Sequence, residues 1–295
     1  MTTRYCGIGG DDANSGLTWA LRKLTLNGVE DTPIVAGDTC YVGPGTYRER
    51  LIADVAGGAA TVITYIGDYS GDNTDGVGGV VRITGSDDDI TETRTNAIYI
   101  DANYRTFQGF QVDMGTGQTV YVNTGHTNAI IDEMYFGPGS VDGLYFAAGA
   151  DAATIKNSYF NFGYDTSGAA IQFVNGAGTA NAVNVIDNVI INGCYYGIES
   201  NEVGGITIRN STIMGCYYGA RVATALPGGY TAVTINNCIL YGLRYALSAT
   251  VAGEIVENYN SISSVVTART NVAIGGNSNT YPPLFDSRWF FETVR

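Results

Sequence analysis

The stretch Ile191–Ser200, INGCYYGIES, returns twenty-two residues later as Ile213–Val222, IMGCYYGARV. Recurrence at a period between about 20 and 50 residues marks an array of stacked units. The frame extends both ways. Taking the last residue of FQG, IDE, IKN, IDN, IRN, INN and VEN as anchors places them at Gly109, Glu133, Asn157, Asn188, Asn210, Asn237 and Asn258. Two residues before each anchor stand Phe107, Ile131, Ile155, Ile186, Ile208, Ile235 and Val256. Three residues after stand Val112, Phe136, Phe160, Ile191, Ile213 and Leu240, with Ser261 breaking the column. A third apolar column holds Leu144, Ile171, Ile198, Ala220 and Leu247.

Three short apolar strands per repeat, separated by Gly and Asn turns, predict a triangular coil. The anchor intervals of 24, 24, 31, 22, 27 and 21 residues are too irregular for repeats of equal helices. They suit an all-β, parallel β-helix, whose strands stack about 4.8 Å apart while the turns vary outside. In that frame Cys194, Cys216 and Leu243 form one interior column, with the two thiols as buried, reduced neighbours. Tyr196, Tyr218 and Tyr245 run beside it as an aromatic column, and the repeated CYYG reads as core architecture. The anchor asparagines are expected to stack, their amides satisfying turn backbone and one another. Helical spacing is confined to Gly16–Gly28, with Leu17, Ala20, Leu21 and Leu24, where a cap over the first coil would sit.

Composition narrows the function. Gly 40 and Tyr 21 against Pro 6 suit a turn-rich β chain, and a net charge of −13 argues against nucleic-acid backbone binding. No apolar run reaches the roughly 18 residues of a membrane helix. MTTRYCGIGG lacks the basic and apolar regions of a signal peptide, so the chain is expected to be mature, exported by other means, or released by lysis. Five cysteines without CxxC spacing argue against a zinc site, and a hydrolase triad would have to use the single histidine, His126, which reads as a polar turn residue in NTGHTN.

The segments YCGIGGDDANSGLTWALRKL (5–24), AGDTCYVGPGTYRERL (36–51), VITYIGD (62–68) and VVRITGS (80–86) resemble the opening of right-handed parallel β-helix proteins of the pectate-lyase-like superfamily. YPPLF (281–285) is similar to the DPLF that often closes them. The resemblance implies an N-terminal cap with a short helix over residues 1–37, a β-helix of about nine coils over 38–264, and a C-terminal aromatic segment over 265–295. The superfamily holds polysaccharide lyases, hydrolases, epimerases, phage tailspikes and non-catalytic surface proteins, so it speaks for fold more than for function.

Lyases of this fold, as the resemblance implies, use Asp or Glu ligands for Ca²⁺ and a Lys or Arg base on an outer sheet face. One residue before the anchors runs an outward column of Gln108, Asp132, Lys156, Asp187, Arg209, Asn236 and Glu257. Asp132, Lys156, Asp187 and Arg209 are therefore the catalytic candidates, with Ca²⁺ the ion such chemistry would need. The plainer reading is an alternating-sign ladder that cancels repulsion between stacked strands, and it is preferred. Asp87, Asp88, Asp89 and Glu92 in GSDDDITETR are metal-binding candidates without EF-hand spacing; a solvated turn explains them more simply. Tyr281, Phe285, Arg288, Trp289, Phe290 and Phe291 form an aromatic, basic tail suited to capping the last coil or docking a second copy or another virion protein.

These readings lead to a non-catalytic structural or adhesive β-helix protein, a phage virion component of capsid or tail that contacts glycans, needing no cofactor. The alternatives are a Ca²⁺-dependent polysaccharide lyase or glycoside hydrolase, and a secreted carbohydrate-binding module. The expected setting is the virion or the extracellular space, with polysaccharide and further protein chains as partners and neither nucleic acid nor membrane.

Overall fold

The computed structural model describes residues 1–31, 34–139, 141–162, 168–174, 183–224 and 231–278. Among them three parallel sheets wind into one right-handed β-helix. Sheet A has ten strands, from Thr3–Cys6 to Ile255–Asn258; sheet B has nine, from Gly45–Tyr47 to Ser261–Ser263; sheet C has nine, from Leu51–Ala53 to Thr267–Thr270. From Thr39–Val42 onward every third strand returns to the same sheet, with equivalent residues in register but for one shift between Ser200 and Asn201.

The inward columns match the sequence frame through six coils. Phe107, Ile131, Ile155, Ile186, Ile208 and Ile235 stack in sheet A, and all are fully buried. Val112, Phe136, Phe160, Ile191, Ile213 and Leu240 do the same in sheet B, and Leu144, Ile171, Ile198, Ala220 and Leu247 in sheet C. Burial of each large side chain contributes about 1.5–3 kcal/mol. Where aromatics are neighbours they stack: Phe136 on Phe160 at 4.2 Å and Phe146 on Phe173 at 4.7 Å between ring centroids.

The corner from sheet A to sheet B is a single residue in the left-handed region. It is Gly109, Glu133, Asn157, Asn188, Asn210 and Asn237 in turn, with φ between 50° and 77°. Asparagine tolerates that conformation and uses its amide. Asn188 Nδ2 donates to Asn157 Oδ1 (2.9 Å) and Asn237 Nδ2 to Asn210 Oδ1 (2.8 Å), while Asn210 Nδ2 turns to Asp187 Oδ1 (2.7 Å). Two links of the expected amide ladder thus form, Asn157–Asn188 and Asn210–Asn237, with an aspartate taking the amide between them.

The last coil departs from the sequence frame by one residue. Its left-handed corner is Tyr259 (φ 57°), not Asn258, because Asn258 pairs with Asn236 and Glu257 with Ile235. A slip of one residue exchanges the two faces of a strand. Val256 is consequently exposed and Glu257 points inward, and Ile262 rather than Ser261 completes the sheet B column. The buried carboxylate meets Arg269, which ends the sheet C column (2.8 Å), and accepts from Gly275 N (2.7 Å), Asn260 Nδ2 (2.9 Å) and Ser278 Oγ.

The cap also differs in placement. Within Leu17 to Leu26, expected to be helical, the chain up to Leu24 forms only a 3-10 turn at Trp19–Leu21, with Leu17, Leu21 and Leu24 exposed. Lys23 bonds along the first strand through Tyr5 and Gly7, and Asp12 accepts from Leu24 N and Thr25 N (both 2.9 Å), which holds this stretch as loop. The α-helix starts nine residues after Leu17, at Leu26–Asp31; Thr25 Oγ1 caps Gly28 N (2.8 Å) and Glu49 accepts from Leu26 N and Asn27 N. Glu30 on this helix reaches the core, where Tyr65 Oη (2.7 Å) and Arg105 donate to it. Burial raises the Glu30 carboxyl, and the Arg105 guanidinium opposes that rise.

Substitutions at Glu257 and Asn210 test these contacts. Glu257→Ala strands Arg269 in the core and should lower the unfolding free energy by about 3–5 kcal/mol in a denaturant titration. Burial alone would raise the Glu257 carboxyl, but its donors outweigh it and hold it below the usual range. Its contribution is thus present above the ordinary carboxylate pKa of about 4.3 and lost as pH falls through the lower folded value, and Glu257→Gln should flatten the acid limb of the stability curve. Asn210→Ala, which keeps a left-handed corner without an amide, should cost about 1–2 kcal/mol, and Asn210→Gly less.

Candidate functional site

The four catalytic candidates do lie together, in register on the outer face of sheet A. Their charges are spent on each other. Lys156 Nζ is 3.0 Å from Asp132 Oδ2, and Arg209 Nη2 is 2.9 Å from Asp187 Oδ2. The second oxygen of each aspartate accepts from a corner asparagine, Asn157 on Asp132 (2.8 Å) and Asn210 on Asp187 (2.7 Å). Glu257, expected in the same column, is inside the core.

The acidic loop sends its carboxylates to different partners. Asp87 pairs with Arg94 (2.5 Å), and Asp89 bridges Arg48 and Arg82. Asp88 closes its own turn, accepting from Thr91 N (2.6 Å) and Ile90 N (2.9 Å), which pulls its carboxyl down to about 2. Among the described residues no three His, Cys, Asp or Glu side chains converge as metal ligands. The tail residues Tyr281, Phe285, Arg288, Trp289, Phe290 and Phe291 lie outside the described residues.

The outer face of sheet C is built differently. Tyr99, Tyr121 and Tyr145 stand in register between buried apolar neighbours, their rings stacked at 5.4 and 5.2 Å and within 12° of parallel. Arg50 covers the outer face of Tyr99 at 4.6 Å. Rings stacked this way cover each other's faces, so edges and hydroxyls are what they offer to solvent. Desolvation, then the Asp101 charge, pushes the Tyr99 hydroxyl above its ordinary pKa, which keeps it a donor. Beside this ladder Asp101 accepts from Asn123 Nδ2 (2.7 Å) and faces His126 Nε2 (3.0 Å), so the single histidine sits in its turn against a carboxylate.

The same column continues through Gln172, Glu199 and Arg221. Gln172 Nε2 donates to Glu199 Oε2 (2.6 Å) and Arg221 Nη1 to Oε1 (3.1 Å). Arg221 also lies over Tyr196 (4.9 Å) and Tyr218 (5.1 Å), and Arg244 over Tyr217 (4.9 Å). The CYYG repeat therefore divides: its cysteines are core, as expected, but its tyrosines are half-buried at an outer corner, with Tyr196, Tyr218 and Tyr245 stacked at 5.4 and 4.9 Å. The first ladder went unread in the sequence. Its signal is a tyrosine flanked by apolar residues at a coil's spacing: Ile98-Tyr99-Ile100, Val120-Tyr121-Val122, Leu144-Tyr145-Phe146.

No protein-family model and no curated protein matches the chain. Solved structures do. A rhamnogalacturonan lyase superposes with a TM-score of 0.69 at 15% identity, covering 94% of this chain and 86% of its own. The pectate lyase Pel9A gives 0.60 at 15% identity, over 94% and 79%. PfbA, a surface adhesin of Streptococcus pneumoniae, gives 0.52 at 16% identity, over 84% and 78%. At such identities the likeness is one of fold. With the in-register sheets, left-handed corners and N-terminal cap, it makes this chain a right-handed parallel β-helix of the pectate-lyase-like fold.

Proposed function

We propose that the protein is a non-catalytic β-helix that holds a glycan chain along the outer face of sheet C. The carrying observation is the row Tyr99, Tyr121, Tyr145, Gln172, Glu199 and Arg221, six coils in register over about 24 Å. The tyrosine hydroxyls at constant spacing match a polymer that repeats hydroxyl donors and acceptors, while the buried Glu199 holds Gln172 and Arg221 in line with them through its two oxygens. Because the groups are fixed by strands, little side-chain freedom is lost on binding. The similar folds support this reading, since their names include lyases of two polysaccharides and a surface adhesin. The expected virion or extracellular setting is one in which such a face meets glycans, and the neighbouring genes, phage structural or not, check it.

The lyase reading draws on the same likeness, but its candidate residues on sheet A are paired ions with both carboxylate oxygens engaged. Exposed pairs of this kind contribute about 0–1 kcal/mol to stability.

Affinity electrophoresis through a panel of neutral and acidic polysaccharides should retard the protein in at least one gel. Tyr121→Ala should weaken that association about tenfold, which is about 1.4 kcal/mol. Retardation by none of the panel, or full retention in Tyr121→Ala, would remove the proposed face.

Lys156→Ala and Arg209→Ala, in contrast, should leave binding unchanged and shift the unfolding free energy by no more than about 1 kcal/mol. Release of unsaturated uronates in the presence of Ca²⁺, lost in Lys156→Ala, would reinstate the lyase.

A further inference from the structure

Cys194 and Cys216 each follow a left-handed glycine, Gly193 (φ 76°) and Gly215 (φ 65°), at equivalent corners of adjacent coils. Both thiols therefore enter the core in the same direction, and their Sγ atoms stand 3.0 Å apart. Both are free thiols, 4% and 3% exposed. Parallel neighbours in register have Cα atoms about 5 Å apart, inside the range of about 4.4–6.8 Å that a disulfide spans. The sequence frame expects these thiols to be buried and reduced; in the structure their sulfurs also converge.

The pair is also polarised. Cys216 Sγ donates to Met214 O (3.3 Å), which leaves its lone pairs to accept the Cys194 thiol. That hydrogen bond draws the Cys216 pKa down, whereas burial lifts Cys238 to about 12 and raises Cys6 and Cys40. Thiolate character decides which cysteine an oxidant attacks.

We propose that Cys194 and Cys216 are an oxidant-responsive pair that hydrogen peroxide converts to a disulfide joining two coils. The Cys216 thiolate attacks one peroxide oxygen; the S–O bond forms, the O–O bond breaks, and hydroxide leaves. The Cys194 sulfur then attacks the sulfur of the Cys216 sulfenic acid. The S–S bond forms, the S–O bond breaks, and the thiol proton leaves with the departing oxygen as water. Two thiols and one peroxide give one disulfide and two waters. The loop so closed contains one complete coil, and each cysteine is followed in sequence by one of the stacked pair Tyr195 and Tyr217 (4.6 Å). It constrains the unfolded chain while the native sulfurs have little distance to travel. The site is independent of what the outer face binds.

The test treats the native protein with one equivalent of peroxide, then unfolds it in alkylating reagent and digests it with trypsin. Cleavage at Lys156, Arg209 and Arg221 puts the two cysteines on separate peptides, 157–209 and 210–221. The expected product is the joined pair, two hydrogens lighter than the sum, with a raised Tm that dithiothreitol reverses. Cys194→Ser, which keeps a hydroxyl donor beside Cys216, should give no cross-link and a Cys216 sulfenic acid trapped by dimedone, and Cys238→Ala should cross-link like the parent. Cys216 recovered alkylated or as sulfinic acid in the parent, or joined to a different cysteine, would overturn the proposal.

Discussion

Every side chain on a strand of this molecule has its own equivalent as nearest neighbour, about 4.8 Å up and down the axis. That constraint decides what each position can hold. Apolar groups repeat freely because they gain from like contacts, and the isoleucine and phenylalanine columns follow. Charges cannot repeat. Asp132, Lys156, Asp187 and Arg209 alternate, as do Glu199 and Arg221, each carboxylate set against the cation of an adjacent coil. Groups that both donate and accept can repeat without alternating, and that suits asparagine to the corner column.

Tyrosine satisfies the rule in two ways at once. Stacked rings gain from repetition, while the hydroxyls bring polarity to the surface without charge. An outer face can therefore stay wettable in a chain of net charge −13 without adding to its repulsion. Where the ladder meets charged residues, arginines lie across the rings, at Tyr99, Tyr196, Tyr217 and Tyr218. Sheet A, by comparison, pairs its outward charges from Asp132 to Arg209 with one another.

The periodicity of the chain made most of this readable. Three apolar columns from Phe107 to Leu247 could be aligned from sequence because burial demands the same kind of residue each time. The outer positions were harder, since solvent accepts almost anything there, and the Tyr99 ladder carries meaning only once its coils are stacked. The slip at Glu257 has a definite cause. Asn258 looked like the corner residue, and no local pattern announces that Glu257 will find Arg269 twelve residues later inside the core. The cap was misplaced for a similar reason: leucines at helical spacing gave way to Asp12, which holds two backbone N–H groups from a distance in the chain. Long-range polar partners were the part that composition and period did not carry.

The Glu257–Arg269 pair also bears on how long the solenoid can be. A column of isoleucines has no natural end, because the top of one coil is a seat for the next. Replacing the sheet A and sheet C members of the final coil by a carboxylate and a guanidinium changes that seat. Another apolar coil laid on it would desolvate ions whose remaining needs are met by Gly275, Ser278 and Asn260, and would displace those residues. Among the described residues the core thus ends on paired ions and their donors, where the coils from Ile131 to Leu240 offer apolar side chains.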